Sequence, residues 1–152
     1  VPFRSGPHRP TETPTVLMAV RYLLDTNTAS YIIKGNVPSV RDRLQKSALS
    51  EVAISVITEA ELRLGVIRLP GAKRLALVVE EFLRFIELRP WDSAAARSYA
   101  TLRASVEQDG RPIGNLDLMI AAHSLALDTV LVSSDRVFRR VKDLKLEDWA
   151  RS

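Results

Sequence analysis

The sequence contains no cysteine and only two histidines among its 152 residues. The lack of cysteine excludes disulfide bonds, thiolate metal sites and cysteine nucleophiles. Two histidines are too few for a metal site built from several imidazoles. No apolar run approaches the roughly 20 residues that a membrane-spanning helix needs. We therefore expect a soluble protein, and the absence of cysteine is consistent with the reducing conditions of the cytoplasm.

Aromatic residues and glycine-rich loops are also scarce. Aromatic residues make up 6% of the chain, which is too few for the extended base-stacking surface of single-strand binding proteins. Neither the dinucleotide-binding nor the P-loop glycine pattern follows any predicted strand. These absences argue against dinucleotide-dependent and P-loop enzymes.

The composition is that of one folded domain with a basic excess. Apolar residues account for 46% of the chain and charged residues for 26%, as in ordinary globular proteins. The formal charge is 22 − 18 = +4, and the pI is near 9.8. Such a balance favours an anionic partner, nucleic acid above all, although it also serves solubility alone.

The first 17 residues differ from the rest of the chain. They hold four of the eight prolines and show neither a helical nor an alternating apolar pattern. We expect residues 1–17 to be a disordered or vector-derived extension, without the apolar stretch of a secretory signal. The single folded domain is predicted to occupy residues 18–152.

Short apolar stretches alternate with longer segments of helical period after Met18. Strands of this length separated by helices imply crossover connections, and hence an α/β fold with a largely parallel sheet covered on both faces. The order of the strands cannot be read from the sequence. The predicted strands are 20–24, 52–56, 86–88, 129–132 and 144–146, and the predicted helices are 28–34, a segment from 38, 58–68, 72–85, 92–108, 116–127 and 136–141.

Four acidic residues fall near the predicted carboxyl ends of strands or the starts of the helices that follow: Asp25, Glu61, Asp117 and Asp135. In an open parallel sheet, ligands bind in the crevice at this edge. Carboxylates that converge there would repel each other unless a cation neutralised them. Mg²⁺ prefers such oxygen ligands and can activate water against a phosphodiester. The pattern therefore indicates metal-dependent phosphodiester hydrolysis.

Each of these acids also has a structural interpretation. Asp25 and Asp135 could simply cap the helices that follow them. Glu61 fits a capping box that begins at Thr58. Asp117 could complement a helix dipole, but it lies on a helix that is apolar nearly all round, where an unpaired acid is rare.

The segments that carry these acids resemble the PIN-domain ribonucleases, and most closely the VapC toxins of bacterial toxin–antitoxin modules. Each segment alone is a weak pattern, but their order along the chain is highly specific. The resemblance covers nearly all of the chain after residue 17. The matching segments are YLLDTN (22–27), ISVITEAELRLG (54–65), IGNLDLMIAAHSLAL (113–127), LVSSDRVFRRV (131–141) and LKLEDW (144–149).

The resemblance implies a three-layer α/β/α domain with an acidic pocket that binds Mg²⁺ or Mn²⁺. It assigns direct metal contact to Asp25 and Asp117, and gives Glu61 and Asp135 the task of tuning the metal or its water. At Ser134-Asp135 the chain departs from the asparagine found in many relatives, which makes the role of Asp135 the least certain of the four. Polar positions that orient these acids match Asn27 and Ser133.

The resemblance also implies partners. These are an RNA substrate, a second copy of the chain in a homodimer, and a small antitoxin that docks over the helices after the second strand and places an arginine in the pocket. Leu64, Val66 and Leu69, within the 58–85 helices, are the candidate docking surface. The alternative is that they belong to the protein's own core.

A basic run follows Asp135 and could hold an RNA backbone, although such runs are more often solvated faces. It comprises Arg136, Arg139, Arg140, Lys142 and Lys145. His123, two turns after Asp117, is expected to be a core or pocket-rim residue and not a base.

Two other functions compete with the nuclease. A phosphatase with Asp25 as covalent nucleophile would need a second acid two residues later, where this chain has Asn27. A non-catalytic RNA- or protein-binding module with the same fold could dispense with the acids, yet all four are present.

Overall fold

The computed structural model describes residues 19–151. The extension predicted for residues 1–17 lies outside the described residues. Within them, no helix is long and apolar enough to cross a membrane.

The centre of the fold is a sheet of five parallel strands in the order β3-β2-β1-β4-β5. Its registers join Leu24 to Ile54 of one neighbouring strand and to Val132 of the other. The predicted parallel α/β architecture is confirmed, and the strand order adds what the sequence could not provide. The strands are β1 (Tyr22–Leu24), β2 (Val52–Ser55), β3 (Glu87–Arg89), β4 (Val130–Val132) and β5 (Lys145–Glu147).

Helices cover both faces of this sheet and make the domain a three-layer α/β/α sandwich. Side chains of β1 alternate between the layers: Tyr22 and Leu24 belong to the core beside the first four helices, and Leu23 belongs to the core beside the last two. This is the period of two expected of a strand buried on both sides. The helices are α1 (Thr26–Lys34), α2 (Pro38–Lys46), α3 (Val56–Ile67), α4 (Lys73–Phe85), α5 (Ser93–Asp109) and α6 (Asn115–Leu127).

Two local expectations are wrong. Thr58 does not begin a capping box, because α3 starts at Val56, where the Ser55 hydroxyl accepts a hydrogen bond from the Ile57 backbone N–H at 3.0 Å. Thr58 is buried inside the helix instead. The basic segment predicted as a helix over 136–141 is a short 3₁₀-helix, Arg136–Arg140.

The connections leave β1 and β4 in opposite directions. From β1 the chain continues to β2, toward one edge of the sheet, and from β4 it continues to β5, toward the other edge. This makes the gap between β1 and β4 the topological switch point, where an open α/β sheet has its ligand crevice at the carboxyl edge.

Candidate active site

Asp25 lies directly at the switch point. Its backbone N–H donates to the carbonyl of Val132 on β4 at 3.0 Å, and its side-chain Oδ1 accepts from the Thr28 backbone N–H at 2.8 Å. The capping interpretation of Asp25 is therefore confirmed, and the cap holds the carboxylate in the crevice. Asp25 is only 4% exposed. Burial raises the pKa of Asp25, against the lowering effect of hydrogen bonds from Ser133 and Thr28.

Asp135 enters the same crevice from the end of β4. Its backbone N–H donates to the Ser133 hydroxyl at 3.0 Å, and its Oδ1 accepts from the Val137 backbone N–H at 2.9 Å. It too caps the segment that follows it, as the structural interpretation predicted. Its negative charge contributes to raising the pKa of Asp25 and of Asp117.

Glu61 is held by Thr26, which in turn contacts Thr58; sequence reasoning missed both contacts. Thr26 donates its hydroxyl to Glu61 Oε1 at 2.5 Å, and Thr26 Oγ1 lies 3.1 Å from Thr58 Oγ1. Two signals could have indicated them: Thr26 follows Asp25 directly, and Thr58 precedes Glu61 by one helical turn. This bond joins α1 to α3 at the carboxyl edge.

Asp117 lies in the first turn of α6. Desolvation raises its pKa, and so do the negative charges of Asp135, Glu61 and Asp25. The structure thus brings Asp25, Glu61 and Asp135 within electrostatic reach of Asp117, although the four predicted acids come from four separate segments. Their catalytic roles remain a prediction.

The two polar residues proposed to orient the acids differ in their surroundings. Ser133 is 6% exposed and contacts both Asp25 and Asp135. Asn27 is exposed on α1; with Thr26 and Glu61 it lines a small cavity of about 210 Å³. Contacts within the crevice therefore support Ser133 more directly than Asn27.

The donor set fits a divalent cation held partly by water. No three carboxylate or imidazole side chains within residues 19–151 form a group close enough to hold an ion by themselves. Mg²⁺, however, takes one or two carboxylates and keeps several waters. Desolvation and, after it, repulsion by the neighbouring acids raise the pKa of Asp117, and a bound cation would offset both.

His123 lies at the core side of the site and not in the crevice. It is 1% exposed, and its Nδ1 lies 2.9 Å from the Ser55 hydroxyl. Burial lowers its pKa. The expected core role fits this environment, since the contact ties α6 to the end of β2.

Comparison with known proteins decides the family. The PIN domain model matches residues 22–144, a stretch that includes all four acids. The chain is 34% identical over 132 residues to the tRNA(fMet)-specific endonuclease VapC of Shigella flexneri, covering 86% of this chain and 99% of that protein. The chain belongs to the VapC ribonucleases of the PIN-domain family.

Other VapC relatives agree in sequence and in structure. Ribonuclease VapC2 of Rickettsia felis is 35% identical over 130 residues, or 84% of this chain and 97% of that protein. A crystal structure of DNA-bound VapBC from Salmonella typhimurium matches with a TM-score of 0.81 at 34% identity, over 86% of this chain and 98% of that chain. VapBC2 from Rickettsia felis, bound to a DNA fragment from its promoter, matches with a TM-score of 0.79 at 32% identity, covering 86% of this chain and 99% of that chain. The likeness therefore spans the whole domain and not one motif.

Proposed function

We propose that the protein is an endoribonuclease toxin that hydrolyses RNA phosphodiester bonds with Mg²⁺ or Mn²⁺ as cofactor. The observation that carries this proposal is the convergence of Asp25, Glu61, Asp117 and Asp135 at the switch point of the sheet, where desolvation and the charges of the other three acids raise the pKa of Asp117. A cluster of negative charge that is not neutralised within the protein is suited to bind a cation.

The contacts of the four acids indicate a different role for each pair. Asp25 and Asp117 would hold the cation, because burial and mutual repulsion leave both carboxylates most in need of a counter-charge. Glu61, fixed by Thr26, and Asp135, fixed by its cap, would orient water and accept protons beside it. The bound cation would supply an activated water and stabilise charge on the phosphate.

Cleavage by single variants tests this proposal. Asp25→Asn and Asp117→Asn should each lower RNA cleavage at least about a hundredfold, because removing a ligand weakens the charge stabilisation that a metal provides. The measurement is the rate at which purified protein, freed of antitoxin, cuts RNA to 5′-phosphate and 3′-hydroxyl ends with Mg²⁺ or Mn²⁺.

A matched control is Asp42→Asn, which removes an exposed acid on α2 and should keep full activity. Activity that survives EDTA, or survives in both crevice variants, would refute the proposal. RNA binding without any cleavage would instead favour the non-catalytic module.

We also propose that a small antitoxin covers the apolar surface of α3 and α4. Leu64 and Leu69 are exposed there, as predicted, but Val66 is partly buried and packs against the protein's own core. Contiguous exposed apolar side chains mark interaction surfaces. The most exposed apolar side chains of this surface are Ile67 at 74%, Leu77 at 71% and Phe85 at 61%.

Two hollows give this surface its shape. Leu77 and Phe85 border an apolar groove of about 500 Å³ that α1 and α2 complete. The cavity lined by Glu61 and Thr26 also reaches Leu69, so a chain lying on α3 could extend an arginine toward the acids. A guanidinium would pair with the carboxylates as a forked donor and compete with the cation.

Co-purification tests this docking surface. Leu77→Lys with Phe85→Lys should release a co-expressed antitoxin and free the nuclease, because two charges would be buried in the groove. Retention of the antitoxin would place its docking surface elsewhere.

The homodimer stays a prediction, to be measured by light scattering with and without the antitoxin. The cytoplasm is the proposed location, since RNA is the substrate.

A further inference from the structure

The structure separates four residues of the basic run after Asp135 into two groups. Arg140 is engaged inside the fold, donating to the backbone carbonyls of Arg111 and Pro112 and lying 3.5 Å from Asp109. Lys145 pairs with Asp128 at 2.9 Å, at the amino edge of the sheet. Arg136 and Arg139 are exposed, and neither forms an ion pair with any carboxylate of residues 19–151.

The short 3₁₀-helix puts these two arginines on one side. In a 3₁₀-helix, side chains three residues apart eclipse each other, so Arg136 and Arg139 stand in line. Phe138, only 1% exposed, anchors the segment in the core, and the Asp135 cap fixes its start. The two charges are thus carried on a fixed support whose N-cap, Asp135, is one of the acids of the crevice.

Arg139 also borders a polar hollow of about 220 Å³ at the carboxyl ends of β4 and β5, together with Ser133, Ser134 and Asp135. The other acids of this hollow are already compensated. Glu147 accepts from Arg43 at 2.8 Å and from the Trp149 indole N–H at 3.0 Å.

Asp148, the remaining acid of the hollow, accepts from the Ser134 hydroxyl at 2.8 Å and lies 3.4 Å from Arg151. If Arg139 served only to neutralise Asp135, the two would form an ion pair, and none of the ion pairs within residues 19–151 joins them. The guanidinium is therefore available to an anion from outside.

We propose that Arg136 and Arg139 hold consecutive parts of the RNA backbone beside the hollow of Ser133, Ser134 and Asp135, so that the adjoining phosphate enters the acidic crevice. This inference rests on the proposed function, because it concerns the same substrate. An acidic crevice repels a polyanion, and fixed cations at its rim would offset that repulsion and set the register of the strand.

The salt dependence of RNA binding tests the proposal separately from catalysis. The probe is a fluorescein-labelled single-stranded RNA, bound by the Asp117→Asn protein in EDTA over a range of KCl concentrations and followed by anisotropy. Each phosphate contact adds about 0.7 to the slope of log K against log salt for a single strand. Arg136→Ala with Arg139→Ala should therefore lower the slope by about 1.4.

Two matched variants control for charge and for folding. Lys145→Ala removes one cation of the same run at the opposite edge and should leave the slope unchanged. Arg136→Lys with Arg139→Lys keeps both charges and should restore most of the slope. Circular dichroism checks that every variant is folded.

An unchanged slope in the double alanine variant would overturn the proposal, and so would an equal loss in Lys145→Ala, since net charge alone would then explain binding. Neither outcome bears on the acids, whose test is cleavage. Conversely, cleavage that does not depend on Asp25 and Asp117 would refute the proposed function. The salt-dependence slopes of the parent protein and the double alanine variant would still test the role of the two arginines.

Discussion

The polar groups at the two ends of the sheet differ in whether the protein itself provides their partners. At the amino end, the Ser124 and Thr129 hydroxyls lie 2.9 Å apart, the Thr129 hydroxyl also donates to the Ser124 carbonyl at 3.3 Å, and Lys145 neutralises Asp128. At the carboxyl end, Asp25 and Asp117 keep raised pKa values because burial and neighbouring acids disfavour their charges. The polar groups of the amino end are compensated internally, whereas the crevice between β1 and β4 at the carboxyl end is left for a ligand. Carboxylates whose charged forms are disfavoured by their surroundings mark functional sites in folded proteins.

The largest effect that sharpens this comparison is stabilisation by a divalent cation. A ligand that binds only the folded state adds about 2.7 kcal/mol at a hundred times its Kd. Mn²⁺ should therefore raise the melting temperature of the antitoxin-free protein, and Asp25→Asn or Asp117→Asn should remove most of the rise. Differential scanning fluorimetry provides the measurement, with Ca²⁺-free buffer and EDTA as the reference. A rise of the same size in both variants would place the cation outside the crevice.

The second effect concerns the compensated amino end. Thr129→Val keeps the shape of the side chain but removes the hydroxyl that bonds to Ser124. Losing a buried hydrogen bond costs about 1 to 2 kcal/mol of unfolding free energy. Urea denaturation measures it, and Thr129→Ser, which keeps the hydroxyl but loses a methyl group, is the control. If Thr129→Val were as stable as the parent protein, the hydroxyl pair would not be the compensation described above.

Much of this contrast could be predicted from local sequence. The strand and helix pattern gave the parallel three-layer fold, since strands buried on both faces and amphipathic helices differ in period. The acids could be placed near one edge because each closely follows a strand or lies near the start of a helix. The bond from Thr26 to Glu61 could not be predicted, since it needs the relative position of α1 and α3. Strand order, the embedding of Arg140 and the pairing of Lys145 depend in the same way on residues distant in sequence.

The smallest expected effect is a change in the free energy of unfolding whose sign differs between the two ends of the sheet. Asp25→Asn keeps a good helix cap and removes a buried charge, so at neutral pH it should stabilise the cation-free protein by about 1 kcal/mol. The folded-state pKa of Asp25 is raised above its ordinary 3.8. The wild type therefore has its full stability from this group below that value, and loses it as the pH rises through the raised pKa.

The advantage of Asp25→Asn should accordingly be smallest near pH 4 and grow toward neutrality, in urea denaturation curves of both proteins with EDTA present. Asp92→Asn is the matched control. The hydrogen bond from the Ala95 backbone N–H lowers the pKa of that capping carboxyl, so its replacement should give no gain as the pH rises. A loss of stability in Asp25→Asn at neutral pH would mean that the cation-free crevice tolerates its charges, and that the contrast between the two ends of the sheet is not energetic. If Asp25→Asn stabilises the cation-free protein while Thr129→Val destabilises it, the charged carboxylates of the crevice lower the stability of the fold. The same carboxylates bind the cation, so this loss of stability is tied to ligand binding.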